Sequence, residues 1–76
     1  MSPEETMLFF KESAKTEADR FRAALSSGDK REILGAFATF ASIAGSAKLF
    51  IAANSMSEKT TSYDAGINYM INELVK

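Results

Sequence analysis

The chain has 76 residues and a formal net charge of -1, from nine basic and ten acidic side chains, and it contains no cysteine and no histidine. This length predicts a single domain spanning residues 1–76. The missing cysteine excludes disulfides and thiolate metal sites, and the missing histidine removes the commonest general base. Because the charges are balanced and interleaved, the composition also disfavours nucleic acid as a partner, and we expect no metal ion and no cofactor.

The first helix is predicted from about residue 3 to residue 26. Ser2 can cap it, Pro3 suits the first helical position, and Glu5 completes a capping box. One apolar stripe then recurs at three- and four-residue spacing, formed by Met7, Phe10, Ala14, Ala18, Phe21 and Leu25. This spacing is typical of an amphipathic helix. Leu8 and Phe9 lie off the stripe. They are either scattered exposed apolar side chains, which are common, or contacts to a second chain or another partner.

A short turn follows at residues 26–29. Gly28 suits the left-handed position after a helix end, and Asp29 can cap the next helix, with Glu32 placed to complete a second capping box. A connection this short predicts that the first two helices pack as an antiparallel hairpin.

The second helix is predicted from about residue 30 to residue 53. Between Ile33 and Ala53 it carries one charge, Lys48, and a helix that is apolar nearly all round must be buried in an assembly or in a membrane. Its internal glycines cost helix propensity, about 1 kcal/mol each against alanine. We therefore expect another helix to cross at the small residues, which are Gly35, Ala38, Ala41, Ser42 and Gly45.

Lys48 falls beside the apolar face of the second helix. We expect its stem to pack there while the ammonium reaches water. The alternative is an ion pair with a carboxylate of the same or another chain.

The third helix is predicted from about residue 58 to residue 75. Its start has two readings, with either Ser57 or Thr61 as the cap. Its apolar stripe consists of Tyr63, Ile67, Met70 and Leu74, and Tyr69 lies off it.

Enzyme chemistry has little support. Ser27 and Lys30 have the spacing of a serine–lysine nucleophile, but they span a turn and a helix cap, and an isolated match of four residues is weak evidence. We therefore expect no catalytic residues.

The fold predicted is all-α: a three-helix bundle in which a long antiparallel hairpin is joined by a C-terminal helix and completed by dimerisation. Too little chain remains to cover the second helix on every side, so we predict a cytoplasmic, non-catalytic protein–protein interaction module. It would act as an adaptor, regulator or inhibitor, as a homodimer or on another protein. The predicted interface residues are Leu8, Phe9, Ile43, Leu49, Phe50 and Tyr69.

Two alternatives stay open. The stretch 33–53 is long enough to span a bilayer core of about 30 Å, although it contains Lys48 and lacks aromatic belts at its ends. The other alternative is a helical nucleic-acid-associated regulator. Its basic face would consist of Lys11, Lys15, Arg22, Lys30 and Arg31.

Overall fold

The computed structural model describes all residues from 1 to 76 and contains three α-helices and no strand. Helix α1 spans Pro3–Ser27, α2 spans Lys30–Ala53 and α3 spans Thr61–Leu74. The predicted all-α fold with three helices is confirmed.

The ends of the α1–α2 hairpin are fixed by local hydrogen bonds. Ser2 Oγ accepts from the Glu5 N–H at 3.1 Å, and the Glu5 carboxylate accepts from the Ser2 N–H, which forms the predicted capping box. Gly28 has a φ of 73° and its N–H donates to the Ala24 carbonyl, so the chain turns where only glycine is unstrained. Asp29 caps α2 by accepting from the Glu32 N–H at 3.1 Å.

The predicted second capping box is incomplete. The Glu32 carboxylate does not bind the Asp29 backbone but accepts from Arg20 Nε of α1 at 2.7 Å. Arg20 also donates to Glu17, at 2.8 Å, so one guanidinium joins the two helices. The Glu32 carboxylate therefore binds Arg20 of α1 in place of the Asp29 backbone.

The core lies where all three helices meet. Phe21 of α1 and Met70 of α3 are fully buried, and Phe40 of α2 lies between the helices. The small residues of α2 that face this core are Ala36, Ala44 and Ala47. The prediction that another helix crosses at the small residues of α2 holds at Gly35, where a Cβ would lie 2.8 Å from the Arg20 guanidinium of α1. Within this chain it is wrong for Ala38, Ser42 and Gly45, which are exposed, because the buried alanines on the neighbouring face make the helix contact.

Helix α2 ends in a Schellman motif. The N–H of Met56 donates to the Ile51 carbonyl and that of Ser55 to the Ala52 carbonyl, and Ser55 takes the left-handed conformation with a φ of 50°.

The third helix begins at Thr61 rather than near residue 58. Of the two predicted caps, Ser57 and Thr61, the second lies closer to the observed start of the helix. No side chain caps this helix. Ser57 and Thr60, before the helix, have side chains that favour turns over helix, which accounts for the late start.

Helix α3 returns along α2 in the opposite direction, because Asp64 near its start pairs with Lys48 and Gly66, further along α3, faces Phe40, which lies two turns before Lys48. It contacts α1 less extensively than α2.

The Cα envelope measures 39 × 21 × 13 Å, and only 10 of the 76 residues are buried. The molecule is therefore elongated and flat, with large outward faces relative to its core.

Candidate interaction surface

Three aromatic rings lie near the end of the hairpin where α1 begins and α2 ends. We call them the aromatic row; they belong to Phe9, Phe10 and Phe50. The Phe10 ring lies 6.0 Å from that of Phe50 and 6.2 Å from that of Phe9, in edge-to-face arrangements. Phe50 is half-buried by this contact, whereas Phe9 is exposed. Ile43, two turns before Phe50 on the same side of α2, is also half-buried and packs against the core. Phe10 therefore contacts both Phe9 and Phe50, while the chain itself covers much of Ile43 and Phe50.

From Leu34 onward, the side of α2 that faces away from α1 and α3 is uncharged; Arg31, in the first turn, is exposed on the same side. We define the α2 outer face by five exposed residues at helical spacing: Leu34, Ala38, Ser42, Gly45 and Leu49. Leu34 and Leu49 are 57% and 74% exposed, and apart from its chain neighbours and the backbone of its own helix no atom lies within 4 Å of where a Cβ of Gly45 would be. This face has no partner within the chain. Leu34 was absent from the predicted interface, although its four-residue spacing to Ala38 is the signal that could have found it.

Leu8 and Tyr69 belong to other parts of the surface. Leu8 is exposed on α1, and it shares a side of that helix with Lys15, seven residues later. The Tyr69 ring packs on Phe21 with 6.0 Å between centroids, and the Arg22 guanidinium lies 5.9 Å above it. The six predicted interface residues thus do not form one continuous patch.

A groove runs between α1 and α3, because α3 packs mainly on α2. We call it the α1–α3 groove; its volume is about 590 Å³. Its floor is apolar and includes Ala14, Ala18, Phe40, Gly66 and Met70. Lys11, Lys15 and Arg22 of the predicted basic face line it, but Lys30 and Arg31 lie in the first turn of α2 and do not.

The single charge of the apolar stretch, Lys48, is paired. Its ammonium donates to Asp64 of α3, with the two side chains 42% and 47% exposed. Thr60 also donates to Asp64, at 3.2 Å. These two donors, Lys48 first, lower the pKa of Asp64 below its ordinary value. Of the two possibilities for Lys48, the structure shows the ion pair with a carboxylate of the same chain, which holds the partly exposed ammonium beside α3.

No hydrogen bond joins the side chains of Ser27 and Lys30. The Ser27 hydroxyl donates to the Ala24 carbonyl at 3.1 Å, as expected for a residue in the last turn of a helix. No group of three or more metal-ligating side chains is present.

Helix α2 is also long and apolar enough to cross a membrane, by length and composition alone. Of its most apolar 18-residue window, 28% is buried inside the chain. The core helix of a soluble protein can be equally long and apolar, so length and composition alone do not place α2 in a membrane.

Comparison with known proteins gives no relative. No protein-family model, no curated protein and no solved structure matches this chain. Its function must therefore be inferred from its own surface.

Proposed function

We propose that this protein is a small, non-catalytic protein–protein interaction module of the cytoplasm, which uses the α2 outer face to pair with a second copy. The observation that supports this proposal is the exposure of an uncharged face on α2. From Ile33 to Ala53 the only charge is Lys48, which is held by Asp64 at the edge towards α3.

Covering this face adds to a small core. Full burial of one leucine side chain contributes about 1.5–3 kcal/mol, and Leu34 and Leu49 stand at the two ends of the face. With only 10 residues buried in the chain, oligomerisation is a physical route to further stability.

A second helix fits the shape of the face. Ala38, Ser42 and Gly45 have little or no side chain, so another backbone can approach closely between the two leucines. A helix of 24 residues is about 36 Å long, and the α2 of a second copy has by definition the same length. Most soluble homo-oligomers are closed two-fold dimers in which the same patch contacts itself.

Such a dimer places the aromatic row and the α1–α3 groove on its exterior, where a further protein can bind. An adaptor, regulator or inhibitor works in this way, by presenting or occluding surfaces rather than by chemistry.

Sedimentation equilibrium tests the proposal with two matched variants. Leu49 is 74% exposed and lies on the α2 outer face, whereas Val75 is 76% exposed and lies beyond α3. L49D should weaken the dimer about 100-fold or more, because each dimer loses two buried leucines, and V75D should leave it unchanged. A wild-type chain that stays monomeric at tens of micromolar rules out the homodimer, as does equal weakening by both variants.

A second candidate, a small membrane protein with α2 as its span, is supported by the length, composition and low burial of that helix. Fractionation of cells without detergent tests it. Recovery of the chain in the membrane pellet, released only by detergent, supports the span, and recovery in the soluble fraction eliminates it.

A further inference from the structure

We propose that the α1–α3 groove binds an acidic amphipathic helix of a partner protein. This surface is separate from the α2 outer face, and the proposal holds whether or not the chain dimerises.

The floor of the groove suits the apolar side of a helix. Ala14 and Ala18 of α1 and Gly66 of α3 contribute no bulk, so a backbone can lie between the two helices. Phe40 and Met70 are buried beneath them, and the accessible apolar surface of the groove comes from Ala18, Ala65 and the Tyr69 ring. Amphipathic helices bind such grooves through apolar side chains spaced three or four residues apart.

The rim of the groove is basic although the whole chain carries a net charge of -1. Three cations line it, Lys11, Lys15 and Arg22, against one acid, Asp19. Arg22 pairs with Asp19 at 3.0 Å, whereas Lys11 and Lys15 make no ion pair within the chain. Two positive charges are therefore free to meet carboxylates.

The spacing of the rim sets the length of the partner. Positions 11 and 22 of a helix are separated by about 16 Å, which corresponds to three turns. A partner helix of at least three turns, with acids along one edge and leucine or phenylalanine beside them, satisfies both the rim and the floor.

The groove is too open for most small molecules, because ligand sites bury most of the ligand surface. The groove is also poorly suited to binding single-stranded nucleic acid. Stacking platforms need free ring faces, and here Tyr63 is buried while the Arg22 guanidinium lies over the Tyr69 ring.

Selection from a displayed library of random peptides about 16 residues long, roughly four helical turns, tests the proposal. The target is the 76-residue chain. K11E/K15E reverses the two free rim charges, and K30E/R31E reverses two charges in the first turn of α2, away from the groove. All four side chains are exposed, so both variants should fold, which circular dichroism will verify.

Enriched peptides should carry acids at helical spacing with leucine or phenylalanine. They should bind K11E/K15E at least about tenfold more weakly than the wild type and K30E/R31E about equally. Backbone NMR shifts on binding should centre on Ala14, Ala18 and Gly66.

Four results would overturn the proposal: no enriched binder, binders without acids, equal loss in both charge-reversed variants, or shifts centred on the α2 outer face. A fluorescent oligothymidylate serves as a further probe. If it binds in a salt-dependent manner that K11E/K15E abolishes, the groove is a nucleic-acid site and the peptide-helix proposal is wrong.

Discussion

Gly66 of α3 faces the buried ring of Phe40 of α2 so closely that no side chain fits between them. A Cβ at residue 66 would overlap Cζ of Phe40 and lie 2.9 Å from Cε1. From helix propensity alone this glycine only weakens α3, whereas the structure shows that its absent side chain lets α3 lie on α2.

The G66A variant should therefore be less stable than the wild type, although alanine is the better helix former. Overpacking costs about 1–3 kcal/mol and helix propensity returns about 1 kcal/mol, so we expect a net loss on the order of 1 kcal/mol. Urea unfolding followed by circular dichroism measures it. Replacing Phe40 by the shorter leucine should remove the overlap with the Cβ of residue 66. G66A should therefore be neutral or stabilising in an F40L background. A G66A chain as stable as the wild type in the Phe40 background would contradict the close contact.

Asp64 should make stability depend on acid pH. Lys48 and Thr60 lower its pKa below 3.8, the ordinary value. A carboxyl whose pKa is lower in the folded state stabilises above its unfolded pKa, and this stabilisation is lost as pH falls through the folded value. Urea unfolding below pH 4 should therefore show a steeper loss of stability in the wild type than in D64N. K48Q, which removes the main donor, should flatten the same region, and unchanged slopes in both variants would refute the role of the pair.

Tyr63 should act at the opposite end of the pH scale. Burial, and secondarily the charge of Glu58, raises its pKa above 10.0. The unfolded chain then releases the phenolic proton first, so stability is fully present below the unfolded pKa and falls as pH rises through the folded value. Unfolding measurements from pH 8 upward should show a decline that Y63F lacks. An equal decline in Y63F would assign the effect to other groups.

The three helices could be predicted because their signals are local. Ser2 with Glu5, Gly28 and Asp29 act within one turn of the chain, and each stripe lies within one helix. What could not be predicted depends on contacts between distant residues. Lys48 and Asp64 are sixteen residues apart, and pairing them requires the angle at which α3 returns along α2.

The interface residues illustrate the same limit. The stretch 33–53 is apolar on all sides, so its pattern alone does not decide which side meets α1. The structure turns Ala36, Ala44 and Ala47 inward, which leaves Leu34 and Leu49 outward and half-buries Phe50. Which of these residues contacts another protein stays a prediction.

Phe50 is consequently a poor single test of association. Its ring packs on Phe10, so F50D places a charge in an intrachain contact and should lower the stability of the monomer by about 2 kcal/mol or more. L49D should not, because Leu49 is mostly exposed in the chain. Urea unfolding at concentrations where the chain is monomeric separates the two variants. Equal stability of F50D and L49D would show that the aromatic row contributes little to the fold.

Adding one methyl group at Gly45 should affect the stability of the monomer and the strength of dimerisation in opposite directions. With no atom of another part of the chain within 4 Å of its Cβ position, G45A should stabilise the dilute monomer by about 1 kcal/mol through helix propensity. In a dimer built on the α2 outer face, the same methyl would stand between two closely packed backbones and weaken association. Urea unfolding of dilute protein and sedimentation equilibrium at high concentration should therefore give effects of opposite sign. A general change in folding cannot produce that combination, and a G45A chain that is more stable and dimerises as tightly as the wild type would show that the helices do not meet at Gly45.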